Sequence, residues 1–206
     1  MKIPNYIRNI IFDLGGVVMD LDIDHTKKSL SALGLQESMF NLNNTDNNNI
    51  FVQLEKGELT EHDFFIRLKE IIGKPLPDTV LKKVWNEMIV DFKASKIKLL
   101  QELRHRYRTF LLSNTNEIHI ARCNEIIYRK YDIPSLDELF EKTYYSHVTG
   151  MRKPEPEIFE YVLHESKLNP SETLFIDDSA ENIKTAKESG MHVWLHVHNA
   201  PLEISW

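Results

Sequence analysis

Five short apolar runs, each followed by turn-forming or polar residues, constrain this chain more than any other feature of it. They are Ile7 to Phe12, Thr109 to Leu112, Tyr144 with Tyr145, Thr173 to Ile176 and His192 to Val197. Their β-branched and aromatic residues favour strands, and runs of this length are too short for stable helices. Apolar periodicity over residues 95–107, 116–130, 155–167 and 180–189 predicts helices between them. Strand and helix in alternation demand crossover connections, which produce a parallel sheet covered by helices. The expected fold class is therefore α/β, a doubly wound parallel sheet.

The segment between the first run and the run at Thr109 reads differently, with helical patterns and no convincing strand. Asp24 can cap a helix that ends at Gly34, Thr60 with Asp63 resembles a capping box, and Pro77-Asp78 precedes the amphipathic stretch VLKKVWNEMIV. Residues 18–92 are expected to form an inserted helical domain, with 1–17 and 93–206 forming the sheet-bearing core. The asparagine-rich run NLNNTDNNN at 41–49 reads as a solvated turn and not as a carbohydrate surface. No internal repeat is visible.

Composition removes several function classes. A chain of 206 residues with 42% hydrophobic and 27% charged residues can bury one substantial core. Its formal net charge of −6 opposes capture of nucleic acid, which needs clustered Lys and Arg, although a small anion can still be held by local positive charge. Met1 to Asn9 lacks an apolar signal core and no stretch is long enough to span a bilayer, so a cytoplasmic protein, monomer or homodimer, is expected. The lone Cys123 has no disulfide partner and no metal-ligand spacing, and is read as structural.

In an open α/β sheet, ligands gather beyond the carboxyl ends of the strands. Four segments place polar residues there. In IFDLGGVVMD, Asp13 ends the first strand and the glycines let backbone N–H groups approach an anion; an aspartate in this place serves equally as a turn former. In FLLSNTN, Ser113 and Asn114 offer a hydroxyl and an amide to phosphate oxygens, and the same residue types cap helices. In GMRKPEPEIF, Lys153 supplies a point charge for a phosphoryl group, or else a solvated surface lysine. In LFIDDSAEN, the adjacent acids Asp177 and Asp178 favour a hard cation such as magnesium, while acids at a helix start also stabilise its dipole.

Taken in this order, the four segments resemble those of the haloacid dehalogenase superfamily, and the resemblance spans almost the whole chain. It implies a Rossmann-like core, with a helical insert after the first segment that looks like the family's C1 cap. By that resemblance Asp13 is the nucleophile, Ser113 binds the phosphoryl group, and Lys153 steadies the charge on both; Asn114 stays a candidate for the phosphate oxygens on its own residue type. Magnesium is implied on Asp13, the backbone carbonyl of Gly15 and Asp178, with Asp177 bound directly or through water. The set looks most like the branch of α-glucose-1-phosphate phosphatases and the phosphatase domain of epoxide hydrolase. That implies hydrolysis of a small phosphorylated metabolite, a sugar phosphate such as glucose 1-phosphate, through an aspartyl-phosphate. One departure stands out: phosphatases of the family usually carry a second aspartate two residues after the nucleophile, where this chain has Gly15.

Two other readings compete. A metal-independent 2-haloacid dehalogenase would also use an aspartate nucleophile without the second acid, but has little use for the Asp177-Asp178 pair. A catalytically weak phosphometabolite-binding protein would keep Ser113 and Lys153, and Gly15 is the residue that favours it. His119, His147, His192, His196 and His198 show no zinc spacing; His147 is a candidate for a substitute acid, and Asp20, Asp22 and Asp24 for the rim of the insert.

Overall fold

The computed structural model describes residues 1–40 and 46–205, so most of the asparagine-rich run, 41–45, lies outside the described residues. In chain order the elements are β1 (Asn9–Phe12), β2 (Asp20–Leu21), α1 (Ile23–Leu33), α2 (Ile50–Glu55), α3 (Glu61–Ile72) and α4 (Asp78–Trp85). Then come β3 (Ile89–Asp91), α5 (Ala94–Leu103), β4 (Arg108–Ser113), α6 (Glu117–Tyr131), β5 (Lys142–Tyr145) and α7 (Ser146–Thr149). The chain closes with α8 (Pro156–Glu165), β6 (Thr173–Asp177), α9 (Ala180–Glu188) and β7 (His192–Leu195).

Five strands form one wholly parallel sheet in the order β5-β4-β1-β6-β7. β1 is buried along its length because it lies in the middle, with Phe12 facing Leu111 on one side and Ile176 on the other. Alternate side chains serve opposite faces of the sheet. Ile10, Phe12, Leu111, Leu174 and Ile176 join one apolar cluster, and Ile11, Phe110, Leu112 and Phe175 join the other. Both faces being covered, the strands read as continuous apolar runs and not as alternating ones.

Helices α1 to α4 lie in the segment between β1 and β4, and their caps show what the sequence signals meant. Thr60 accepts from the Asp63 amide at 3.2 Å, as a capping box requires, and Gly34 ends α1. The N-cap of α1 is Asp22 and not Asp24: its carboxylate accepts from the His25 amide at 2.9 Å, and Asp24 falls in the first turn. Strands are also present in this segment, contrary to expectation. β2 and β3 pair antiparallel at its two ends, and α4 stops at Trp85, so that the tail of VLKKVWNEMIV supplies β3 instead of more helix. Two- and three-residue strands carry too little pattern to be seen against a helical background.

Aromatic packing joins these helices to α6. Phe51 stacks on Trp85 at 5.4 Å, Phe64 lies 5.2 Å from the same indole, and Trp85 stacks at 4.8 Å on His119 of α6. Trp85 is fully buried, and truncation to alanine is expected to cost about 3–5 kcal/mol.

Candidate active site

The four segments converge at the carboxyl edge of the sheet, because β1, β4, β5 and β6 all point the same way and their following loops must meet there. A cavity of about 390 Å³ opens at that edge, and Asp13, Gly15, Ser113, Asn114, Lys153 and Asp178 all line it. Asp177, at the end of β6, is fully buried behind them.

Lys153 organises the floor. Its ammonium donates to Asp13 Oδ1 at 2.6 Å, to Asp177 Oδ2 at 2.7 Å and to the Leu112 carbonyl at 2.9 Å. An ammonium has three protons, so each is used and the side chain cannot swing. Burial alone would lower the Lys153 pKa, but Asp13 and Asp177 reverse that and raise it, so the lysine stays charged. Asp13 is pushed up to about 7, chiefly by burial and further by Asp177 and Asp178, against the opposing pull of Lys153. The floor therefore holds more buried negative charge than one lysine neutralises.

Carboxylate oxygens of Asp13, Asp177 and Asp178 lie within 4.8 Å of one another, a spacing and donor chemistry that suit a hard cation such as magnesium. The two acids of the pair differ. Asp177 is saturated, since Oδ1 accepts from the Ser179 amide at 2.8 Å, Oδ2 accepts from Lys153, and the Asn182 amide reaches both at 3.1 and 3.0 Å. Asp178 instead faces the cavity, with Oδ2 2.5 Å from His198 Nδ1. Gly16 makes that approach feasible: it holds a φ of 73°, and a Cβ there would overlap Asp178 Oδ2 and the His198 ring.

Asn114 has a second place in the structure. Its amide donates to the Lys153 carbonyl at 2.8 Å and its Oδ1 accepts from the Lys153 amide at 2.9 Å, so it clamps the backbone of the lysine loop while lining the cavity. Ser113 remains at the cavity wall, with only a 3.5 Å contact from its hydroxyl to the Asn114 carbonyl. His147 bonds the Thr115 carbonyl at 3.2 Å and is absent from the lining. Asp20 is held by Lys93 at 2.7 Å and Lys96 at 2.9 Å, Asp22 caps α1, and none of Asp20, Asp22 and Asp24 lines the cavity.

The upper wall comes from residues not singled out in the sequence as lining residues. Met19, Trp85, Met88 and Cys123 make it apolar, and Glu55 with Arg152 makes part of it charged. Burial pushes the Cys123 thiol up to about 12, and its Sγ sits 3.4 Å from Met19 Sδ, so it packs as an apolar group. His198 was set aside in sequence with the other histidines, because it belongs to the loop after β7 and no spacing ties it to Asp178.

The sequence profile of the haloacid dehalogenase-like hydrolases matches residues 7–190. A D-ribitol-5-phosphate phosphatase from Bacteroides thetaiotaomicron is 34% identical over 91% of each chain. A sesquiterpene phosphatase from Aspergillus oryzae is 29% identical over 91% of this chain and 88% of its own. A haloacid dehalogenase family enzyme from Bacteroides thetaiotaomicron, solved with magnesium and inorganic phosphate, superposes with a TM-score of 0.88 at 36% identity, covering 95% of this chain and 96% of its own. Among the described residues no helix is long and apolar enough to cross a membrane.

Proposed function

The chain belongs to the haloacid dehalogenase-like hydrolases, and from that premise we propose that it is a magnesium-dependent phosphatase of small hydroxyl-rich phosphate esters, working in the cytoplasm. The observation that carries this reading is the Lys153 ammonium bridging Asp13 and Asp177 on the cavity floor, beside the cavity-facing Asp178. Asp13 Oδ1 is fixed by Lys153, and Oδ2 has no protein hydrogen bond among the described residues, so Oδ2 is the nucleophile. It attacks phosphorus, the bond to the leaving oxygen breaks, and an aspartyl-phosphate forms; water then attacks phosphorus and frees the carboxylate. Ser113 and Lys153 hold the phosphoryl oxygens, and Asn114 positions Lys153.

Asp13, Asp178 and the Gly15 carbonyl would hold magnesium, with Asp177 anchoring Lys153 from behind. When bound, the ion neutralises the charge crowded between nucleophile and phosphate. Residues 18–92 act as a cap over the cavity, and closing it excludes bulk water. Gly15 supplies no proton to the leaving oxygen, so a water or an acidic leaving group must serve.

The relative named for D-ribitol 5-phosphate supports a polyol or sugar phosphate as the substrate, and glucose 1-phosphate belongs to the same chemical class. A panel of sugar, polyol and aryl phosphates assayed with and without magnesium tests the reading. Turnover is expected with magnesium and should vanish on chelation. Full activity after exhaustive chelation, halide release from 2-haloacids, or binding without turnover would each overturn it.

A further inference from the structure

Glu55 and Arg152 are the charged pair of the upper wall, one from the end of α2 and the other from the residue before Lys153. Both are buried, and Glu55 Oε2 lies 2.8 Å from Arg152 Nη2. A single guanidinium contact occupies at most one of the two lone pairs of Oε2, which leaves it acceptor capacity for a further donor. Burial pushes Glu55 up to about 7, against the pull of Arg152 and of Lys153, so the carboxylate is poorly solvated yet sits within electrostatic reach of the floor.

Stability does not account for such a pair, since two apolar side chains of similar volume commonly pack as well or better. The position is nevertheless firmly built. Lys56 pairs with Glu155 at 3.3 Å, and Gly57 adopts a φ of 70° with the His147 carbonyl where a Cβ would be. Two residues in succession after Glu55 are therefore pressed onto α7 and onto the lysine loop that follows it. A fixed, under-bonded carboxylate and a guanidinium facing a cavity with an apolar wall are arranged as polar anchors for a ligand.

Resting on the phosphatase reading, we infer that Glu55 and Arg152 select the leaving group, recognising neighbouring hydroxyls of an uncharged polyol. A hydroxyl both donates and accepts, so one can donate to Glu55 while its neighbour accepts from Arg152. Met19, Trp85 and Met88 then cover the carbon chain. An alkyl ester of equal length would leave Glu55 Oε2 desolvated with nothing to fill its remaining acceptor site, which is the situation in which polar sites reject analogues most strongly.

Wild-type enzyme with magnesium, assayed on a pentitol 5-phosphate and on pentyl phosphate, should show a kcat/KM ratio of about 100 or more in favour of the pentitol. A Glu55→Leu/Arg152→Met double variant replaces the pair with apolar volume. Its ratio should fall to within about threefold of unity, while its Tm stays at or above that of wild type. A merely structural pair would instead lower Tm and leave the ratio standing. A wild-type ratio near unity overturns the inference even if the double variant does not fold, and so does a ratio preserved in the folded variant. If wild type hydrolyses neither ester nor any other phosphate, the phosphatase reading itself falls, which is a distinct outcome.

Discussion

The floor and the upper wall of one cavity are built on opposite plans. On the floor, Lys153, Asp13, Asp177 and Asn114 are tied to one another and to backbone by hydrogen bonds of 2.6 to 2.9 Å, with all but Lys153 placed at strand ends. The upper wall is carried largely by helices that pack through rings, with Phe51, Phe64 and Trp85 in a mutual cluster, and is completed by the Glu55–Arg152 ion pair, whose arginine comes from the lysine loop. Directional bonds fix atoms to within tenths of an ångström, as a reacting centre needs. Ring packing fixes a shape while tolerating exchange of side chains. The difference teaches that the two halves of one cavity, floor and wall, are held by different physical means.

The severest break falls on the floor. Asp13→Asn should lower kcat by about 10⁴-fold or more, the scale seen when one member of a catalytic unit is removed. Because Lys153 keeps Asp177 and the Leu112 carbonyl as acceptors, Tm should change by only a few degrees. Steady-state kinetics beside a thermal melt would check both, and near-normal turnover would remove Asp13 from the role of nucleophile.

A milder change sharpens the division within the floor itself. If Asn114 clamps the lysine loop, Asn114→Ala should cost about 100-fold in kcat with KM little altered, since a displacement of about 1 Å at the reacting centre is worth that much. Contact with substrate would appear as the opposite split, a raised KM at constant kcat.

The smallest effect concerns the joint between the halves. His119 lies 3.1 Å from both the Trp85 carbonyl and the Asn116 amide, and burial holds its pKa down at about 4 against an ordinary 6.5. The unfolded chain therefore binds a proton below pH 6.5 that the folded chain refuses until about pH 4. Stability from this site is complete above pH 6.5 and is lost as pH falls, by about 2 kcal/mol at pH 5. For a chain of this size that is a Tm decrease of roughly 4–8 °C between pH 7 and pH 5. Thermal melts of His119→Gln should show that much less acid sensitivity; an unchanged pH dependence would place the acid-labile group elsewhere.

These halves were also unequally legible in the sequence. Asp13, Ser113, Lys153, Asp177 and Asp178 follow strands that announce themselves by their apolar runs, so the parallel sheet and the meeting of its loops could be reasoned from pattern alone. Asn114 was visible as a residue but not as a clamp, because its partner lies 39 positions away on another loop. Glu55 carried no mark at all, and Trp85, Met88 and Arg152 lay inside marked segments without being singled out as lining residues. Each sits in an ordinary amphipathic or charged setting, and which side of a helix faces a cavity depends on tertiary packing that periodicity does not report. The β2–β3 pair was hidden for a different reason, its strands being too short to interrupt a helical pattern.

The three acceptors around the Lys153 ammonium come from three neighbouring strands: Leu112 within β4, Asp13 directly after β1, and Asp177 at the end of β6. The lysine itself arrives on the loop after β5 and α7. No two of these strands make the site, and a sheet with one strand out of register would leave either the ammonium or a buried carboxylate without its partner. The bonded floor is therefore an all-or-none report on the assembled sheet, because a half-formed chain cannot bring the ammonium and its three acceptors together.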